Sequence, residues 1–401
     1  MTLLNDHYKS YLIHMTIGHL FQKEMDVFSL LLNRYLKAAH SKFSSRKSIN
    51  EQMENMYGLK ITFYNTTEGN HLVHHLRCKM INPKLVHDDH LLYQVLTFIE
   101  AMLFQATFDH ASRFEEEKRR VIEQLQAIKD DKQTYATYLY EASIQKYYVD
   151  AYSLEEKIQK IDSTSLEDIQ RYYHDTFLKG HTLVFGTGSF FENEKVMIKR
   201  VLGKYEKGSI KPSYPLLHVN QMEDIEIHLP IHQAILHFGY QTDIGYHDPY
   251  RTALQLFNEM LGGHANSQLF TVIREEKGLC YSIYSYLNSH HGILSIATGV
   301  DEARIKDAQE SIHDVIASFQ HDMISDELLE QTKAYLIHQI TTNLDKQSIY
   351  IERALRNHLY SETYDLNARM ASIKNVTRED IMYVANQLKP VMIHRVRGVQ
   401  S

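Results

Sequence analysis

The sequence has 401 residues and a mass of 47.0 kDa, enough for two or three domains that each bury a core, so small disulfide-stapled peptides are excluded. Apolar residues make up 43% of the chain and charged residues 23%, as in globular proteins, which excludes a disordered chain. The formal net charge of -7 and the absence of a long basic run argue against a nucleic-acid partner.

The first half of the chain predicts a strand, two helices and a hairpin, in that order. Residues 8–17 alternate as a strand does, and the apolar stripe over 27–36 favours a helix. A second helix over residues 45–57 should end at Gly58, because glycine suits the left-handed position that follows a helix. We expect strands on both sides of the turn-forming residues 66–70.

The second half predicts the same order of elements. Its strands and helices are separated by turn-forming residues, and Gly278 should end the second helix. The expected strands are 224–229, 233–240, 279–287 and 293–300, and the expected helices are 249–261 and 267–277.

An internal repeat relates the two halves. Residues 161–169 align with residues 373–381 at an offset of 212, and both copies carry a Ser/Thr-x-x-Asp signal that caps a helix. A short helix and a strand should follow each copy. We therefore predict an α+β fold of two homologous domains, residues 1–205 and 218–401, joined by the polar linker 206–217. Each domain should be a mostly antiparallel sheet with helices packed on one face.

The most informative segment of the second half is residues 261–285, which read LGGHANSQLFTVIREEKGLCYSIYS. The helix should carry Arg274 one turn before Gly278, and Tyr281 should lie two residues into the following strand. A reversal at the glycine can therefore bring the guanidinium and the phenol together. Both groups could then donate hydrogen bonds to a carbonyl oxygen or to the oxyanion formed from it.

This segment resembles the second domain of the pitrilysin/insulinase family of zinc metallopeptidases, the inverzincins, in the short-chain branch that includes the mitochondrial processing peptidase. The pattern Leu-Gly-Gly, Leu-Phe and Arg-Glu-x-x-Gly-Leu-x-Tyr-Ser-x-Tyr-Ser carries the resemblance, and the repeated halves extend it over essentially the whole chain. The resemblance implies that Arg274 and Tyr281 contact the substrate backbone and help to stabilise the tetrahedral intermediate. The competing interpretation is a solvated arginine and a half-buried strand tyrosine. The repeat puts Glu54 and Ile61 at these positions in the first half, so it does not by itself require the pair.

The zinc motif that this family carries in its first domain is missing. A catalytic member has H-x-x-E-H on the first helix, with two histidines for zinc and a glutamate as base, and a further ligand glutamate downstream. No H-x-x-E-H occurs in the sequence, and the degenerate positions are Leu30, Asn33, Arg34 and Gln124. A one-residue shift would bring Glu123 to the last position but would restore neither histidine. We therefore predict no metal and no cofactor in this chain.

The resemblance then implies a zinc-free subunit of a heterodimeric metallopeptidase, inactive alone. Arg274 and Tyr281 would act in trans on a peptide held at the zinc of a homologous partner that carries H-x-x-E-H. Processing of leader or bacteriocin precursor peptides is an expectation at the level of class only. Two alternatives stay open: a purely structural or peptide-binding subunit in which the pair is a relic, and a self-sufficient hydrolase with an unrecognised site.

The sequence also indicates a compartment. Two cysteines, Cys78 and Cys280, are too few for a disulfide framework in a chain of this length and fit a reducing environment. No signal peptide or membrane-spanning segment is visible. We therefore expect a cytoplasmic protein without a membrane span.

Overall fold

The computed structural model describes residues 1–38, 42–43, 45–321, 323–360 and 364–398, so the last three residues of the predicted second domain lie outside it. The described strands are β1 (Thr2–Leu4), β2 (Ser10–Leu20), β3 (Lys60–Glu68), β4 (His71–Ile81), β5 (His181–Thr187), β6 (Glu223–Leu229), β7 (Ala234–Gln241), β8 (Cys280–Asn288), β9 (Ile293–Val300) and β10 (Lys389–Gly398). The described α-helices are α1 (Met25–Ala38), α2 (Arg46–Asn55), α3 (Pro83–Val86), α4 (Leu91–Phe104), α5 (Ala111–Ala127), α6 (Lys132–Gln145), α7 (Leu154–Ser163), α8 (Leu166–Asp175), α9 (Glu192–Leu202), α10 (Arg251–Asn258), α11 (Ile305–Gln320), α12 (Asp326–Thr342), α13 (Ser348–Tyr360), α14 (Leu366–Lys374) and α15 (Arg378–Asn386).

The strands of the described ranges form two sheets of five with the same topology. One sheet has the order β1-β5-β2-β4-β3 and the other β6-β10-β7-β9-β8. In each sheet the first pair in this order is parallel and the remaining neighbours are antiparallel. Thus β3 and β8 are equivalent edge strands. The predicted α+β fold of repeated, mostly antiparallel sheets is confirmed.

The chain divides into two compact units that are not contiguous in sequence. The first unit comprises residues 1–126, 151–213 and 343–364, and the second comprises 127–150, 214–342 and 365–401. Each unit therefore takes one helix from the other half of the sequence, α13 in the first unit and α6 in the second. The boundaries 1–205, 206–217 and 218–401 divide the sequence into its repeated halves, and they stay a prediction. The compact units are a different division, because each contains a segment from the other half.

The first unit has helices on both faces of its sheet. Ile13 and Val184 belong to the large core formed with the main helix layer. Leu12 and Phe185, the neighbouring residues in the same strands, instead pack against Ile351 of α13. Because successive strand residues point to opposite faces, α13 covers the face away from the main helix layer. Prediction found the main layer and missed this added helix.

The second unit repeats this arrangement with α6. Tyr140 and Ile144 of α6 form a small core with Met392 of β10. The Tyr140 hydroxyl is hydrogen-bonded to Ser295 Oγ at 2.7 Å, and its ring stacks on His237 with centroids 4.8 Å apart. None of the helices in the described ranges is both long and apolar enough to cross a membrane.

The helix-start signals that revealed the repeat form capping boxes in both units. Ser165 and Thr377 are the N-caps of α8 and α15, and each hydroxyl accepts a hydrogen bond from the backbone N–H three residues later, at 3.2 Å. The carboxylates of Asp168 and Asp380 accept from the backbone N–H of the cap, at 3.0 and 2.9 Å. Each box satisfies two amide donors that the first helical turn leaves unpaired.

The glycines predicted to end helices are also equivalent. Gly58 has a φ of 73° and Gly278 a φ of 58°, the left-handed conformation that residues with a side chain adopt at a cost. In both units the same backbone hydrogen bond spans the glycine at 2.9 Å: Leu59 N–H to Met53 O, and Leu279 N–H to Ile273 O.

Candidate functional site

The reversal at Gly278 separates the two side chains predicted to contact substrate. Residues Phe270–Glu276 form a π-helical segment where an α-helix was predicted. Arg274 lies on this segment and is exposed. Its guanidinium lies 4.4 Å above the Phe270 ring, a distance at which the cation is attracted to the ring face. No hydrogen bond or ion pair occupies this guanidinium among the described residues, so its five N–H donors face solvent.

Tyr281 occupies a β-bulge at the start of β8. Cys280 pairs with Val300 and Ser282 with Gly299, which leaves Tyr281 as the extra residue between two ladder positions. Its side chain is 75% exposed, more than the half-buried strand residue of the competing interpretation. The described contacts include no hydrogen bond between Arg274 and Tyr281. The structure places both donors, unoccupied, on the two arms of one reversal.

The degenerate metal positions come together in the first unit. Leu30, Asn33 and Arg34 of α1 line a cavity of about 470 Å³ between this helix and β3. Arg34 Nη2 donates a hydrogen bond of 2.6 Å to Oε1 of Gln124 on α5. The two helices that carry the zinc ligands in catalytic relatives thus meet here through a guanidinium and an amide.

These residues do not fit a zinc ion. Leu30 has no donor atom for a metal, and Arg34 brings a fixed positive charge without a lone pair. Glu123, the residue beside Gln124, is exposed. Among the described residues no group of three or more His, Cys, Asp or Glu side chains could hold a metal ion. The chemistry of the donor set therefore excludes the tetrahedral zinc site of the catalytic relatives at this place.

A buried hydrogen-bond chain behind α1 was not predicted. Asn33, at the position of the catalytic base, is its central member and is only 7% exposed. Each link is 2.7 to 3.0 Å long. The linked atoms are His19 Nε2 and Tyr172 Oη, Tyr172 Oη and His74 Nε2, His74 Nδ1 and Asn33 Oδ1, Asn33 Nδ2 and Asn65 Oδ1, and Asn65 Nδ2 and Ser29 Oγ.

Burial keeps the two histidines of this chain neutral. Burial lowers the pKa of His74 well below its ordinary value and also lowers that of His19, so both rings are neutral near neutral pH. Asn33 is therefore held rigidly by neutral partners and cannot take a proton. The sequence shows only that His74 and His75 are neighbours in a strand and so point to opposite faces of the sheet. On the other face His75 is hydrogen-bonded to His14 at 2.9 Å.

Comparisons with known proteins identify relatives of this chain. Residues 163–336 match the sequence model of the family described as "Peptidase M16 inactive domain". The chain is 24% identical over 365 residues to "Probable inactive metalloprotease YmfF" of Bacillus subtilis (strain 168), covering 87% of this chain and 84% of that protein. It is 24% identical over 320 residues to "Uncharacterized zinc protease YmxG" of the same organism, covering 78% and 72%. A solved structure of a conserved protein from Enterococcus faecalis V583 shares the fold, with a TM-score of 0.89, 24% identity and coverage of 100% and 96%.

Proposed function

From the match of residues 163–336 to the peptidase M16 inactive-domain family, and from the likeness to a relative named as an inactive metalloprotease, we propose that this chain is the zinc-free subunit of a heterodimeric metallopeptidase. It binds a peptide together with a homologous partner that carries H-x-x-E-H and the zinc ion. The observation that carries the proposal is the combination of a first unit that cannot ligate zinc with a second unit that exposes Arg274 and Tyr281. A chain that had lost all contact with the reaction would have no use for that pair.

Arg274 and Tyr281 act in trans on the bond that the partner cleaves. As a nucleophile adds to the scissile carbonyl, negative charge develops on its oxygen, and donors aimed at that oxygen stabilise the transition state more than the substrate. A guanidinium and a phenol provide such donors. Their exposure and the lack of competing acceptors among the described residues support this role, because a donor already bonded within the chain would first have to be released.

The first unit contributes to binding, not to cleavage. Its cavity between α1 and β3 is polar, and the Arg34–Gln124 hydrogen bond closes the place where a metal would sit. Asn33, which replaces the base, can orient a polar group but cannot accept a proton from water. We keep peptides of the leader or bacteriocin precursor class as proposed substrates and the cytoplasm as the proposed compartment.

Co-expression with the homologous zinc-bearing chain of the same organism tests the proposal. Size-exclusion chromatography with light scattering should give a complex near twice the 47.0 kDa of this chain. Peptide hydrolysis should require both chains, and elemental analysis should assign zinc to the partner alone. A chain that stays monomeric at micromolar concentration in the presence of that partner, or a partner equally active without it, would contradict the proposal.

A further inference from the structure

A second cavity, of about 450 Å³, lies in the second unit between α10, its π-helical continuation Glu259–Gly263 and the edge strand β8. It uses the same elements of the repeat as the cavity of the first unit. Asn258, Glu259 and Ser285 line one part of it with oxygen atoms. Leu287 and Leu336 form its apolar wall.

Glu259 places a carboxylate on this cavity without a counter-charge. The side chain is partly buried, and among the described residues no cation or hydrogen-bond donor contacts its oxygens. Burial, with no neighbouring positive charge to offset it, raises the pKa of the Glu259 carboxyl. A partly buried carboxylate without a counter-charge leaves a place where a cation can bind.

Asn258 supplies a second, independent acceptor. The residue is 7% exposed, and its Oδ1 atom is buried without a hydrogen-bond partner in the described ranges. Buried amide oxygens in proteins are almost always paired, so an unpaired one on the wall of a cavity indicates a donor that arrives with a ligand. The Ser285 hydroxyl cannot serve, because it donates to the backbone oxygen of Asn258 at 3.1 Å.

The Leu-Gly-Gly motif is explained by this wall. A Cβ atom at Gly263 would lie 2.6 Å from Oε2 of Glu259, and a Cβ atom at Gly262 would lie 2.6 Å from the backbone nitrogen of Ser285. Gly262 thus allows the helix to approach β8, and Gly263 leaves the space that the carboxylate occupies. The motif shapes a charged cavity and does more than end a helix.

The corresponding cavities of the two units carry opposite charges. In each unit an asparagine of the helix contacts the edge strand. The contacted strand residues, Asn65 and Ser285, are 220 positions apart, the same offset as between Gly58 and Gly278. The residue after that asparagine is Arg34 in the first unit and Glu259 in the second. In the first unit the Asn33 side chain donates to the Asn65 side chain, and in the second the Ser285 hydroxyl donates to the backbone oxygen of Asn258.

We propose that this second cavity binds the cationic side chain of an arginine or lysine in a peptide. One carboxylate and one amide oxygen complement a guanidinium or ammonium group, which donates several hydrogen bonds. They are too few for a divalent cation such as Ca²⁺, which takes about six or more oxygen ligands. The apolar wall of Leu287 and Leu336 suits the methylene stem of the same side chain. That the ligand is a peptide rests on the proposed function; the preference for positive charge does not.

Calorimetric titration of the purified full chain tests the cavity without any partner. The probes are Ac-Ala-Arg-Ala-NH₂ and the same peptide with citrulline, which keeps the shape of arginine and lacks its charge. The wild type should bind the arginine peptide about tenfold more tightly or better, since a charge-assisted hydrogen bond is lost with citrulline. Glu259→Gln should bind both peptides equally. Glu310→Gln, which removes an exposed carboxylate of α11 paired with Lys306, should keep the wild-type preference.

The outcomes separate the cavity from the proposed function. Equal affinity of the wild type for both peptides, or binding of neither, would overturn the cavity assignment, and this comparison needs no variant to fold. An unchanged preference in a Glu259→Gln chain with wild-type circular dichroism would overturn it as well. Because turnover is not measured, these results leave the roles of Arg274 and Tyr281 in the heterodimer to a different experiment.

Discussion

Replacing His394 should change stability in a way that the structure specifies. This residue of β10 is 0% exposed, and both of its ring nitrogens are buried without a partner in the described part of the chain. Burial lowers its pKa to about 4. His394→Met keeps a side chain of similar volume and removes the polar ring. Removing one unsatisfied buried donor is worth about 1–3 kcal/mol, and repacking costs up to about 1.5 kcal/mol, so the free energy of unfolding near pH 7.5 should rise by about 1 kcal/mol.

The pH dependence gives the sharper result. A histidine whose pKa is lower in the folded state than its ordinary 6.5 binds its proton mainly in the unfolded state, so the wild type loses stability as pH falls from about 7 towards 4. At pH 5 a shift from 6.5 to about 4 amounts to about 2 kcal/mol for this one ring. His394→Met should therefore lose about 2 kcal/mol less than the wild type between about pH 7.5 and pH 5.

Urea unfolding followed by far-ultraviolet circular dichroism at both pH values measures this, because the chain contains no tryptophan to report by fluorescence. His313→Met, at an exposed position of α11, is the matched control and should keep the wild-type pH dependence. If His394→Met lost as much stability as the wild type on acidification, the assignment of a neutral, proton-linked ring at this place would be refuted.

Three further predictions follow from the repeat and the degenerate site. Gly278→Ala and Gly58→Ala should each lower the free energy of unfolding by about 1 kcal/mol, because alanine is strained at a left-handed φ. Only Gly278→Ala should also slow the reconstituted peptidase. Equal turnover of the two variants would count against the site. Thr377→Ala should cost about 1 kcal/mol of stability through the lost cap, and a thermal midpoint equal to that of the wild type would contradict the capping box. Elemental analysis of the chain purified alone should find no stoichiometric zinc; about one zinc per chain, lost on Glu123→Gln, would reverse our interpretation of the first unit.

Local signals predicted most of the fold. The alternation of residues 8–17, the hydroxyl-x-x-Asp starts at Ser165 and Thr377, and the stops at Gly58 and Gly278 act over a few residues, so the sequence displays them directly. The exchange of α6 and α13 between the units is set by tertiary packing. Its only trace is that strands such as β2 are buried on both faces, and a continuous apolar run does not say which helix covers the second face.

The candidate site was predicted only in part, because some of its features are set by motif positions and others by tertiary packing. The motif alignment predicts that Arg34 and Gln124 replace two zinc ligands. It does not predict the hydrogen bond between them, which the structure shows. The buried chain through Asn33 joins residues of five elements, β2, α1, β3, β4 and α8, and no spacing in the sequence relates them. The sequence did not predict the role of Glu259, because that role depends on the lack of a counter-ion beside its carboxylate in the described part of the chain. Only three-dimensional packing shows this.

The turnover of the reconstituted pair tests the central claim most directly. Loss of one oxyanion-type donor costs about 3 kcal/mol, or about a hundredfold in rate, so Arg274→Ala and Tyr281→Phe should each lower kcat by about that factor while the complex still assembles. The double variant should lose less than the product of the two effects if both donors serve one oxygen. A double variant that forms the complex and turns over at the wild-type rate would show that the pair is a relic and that this subunit is structural.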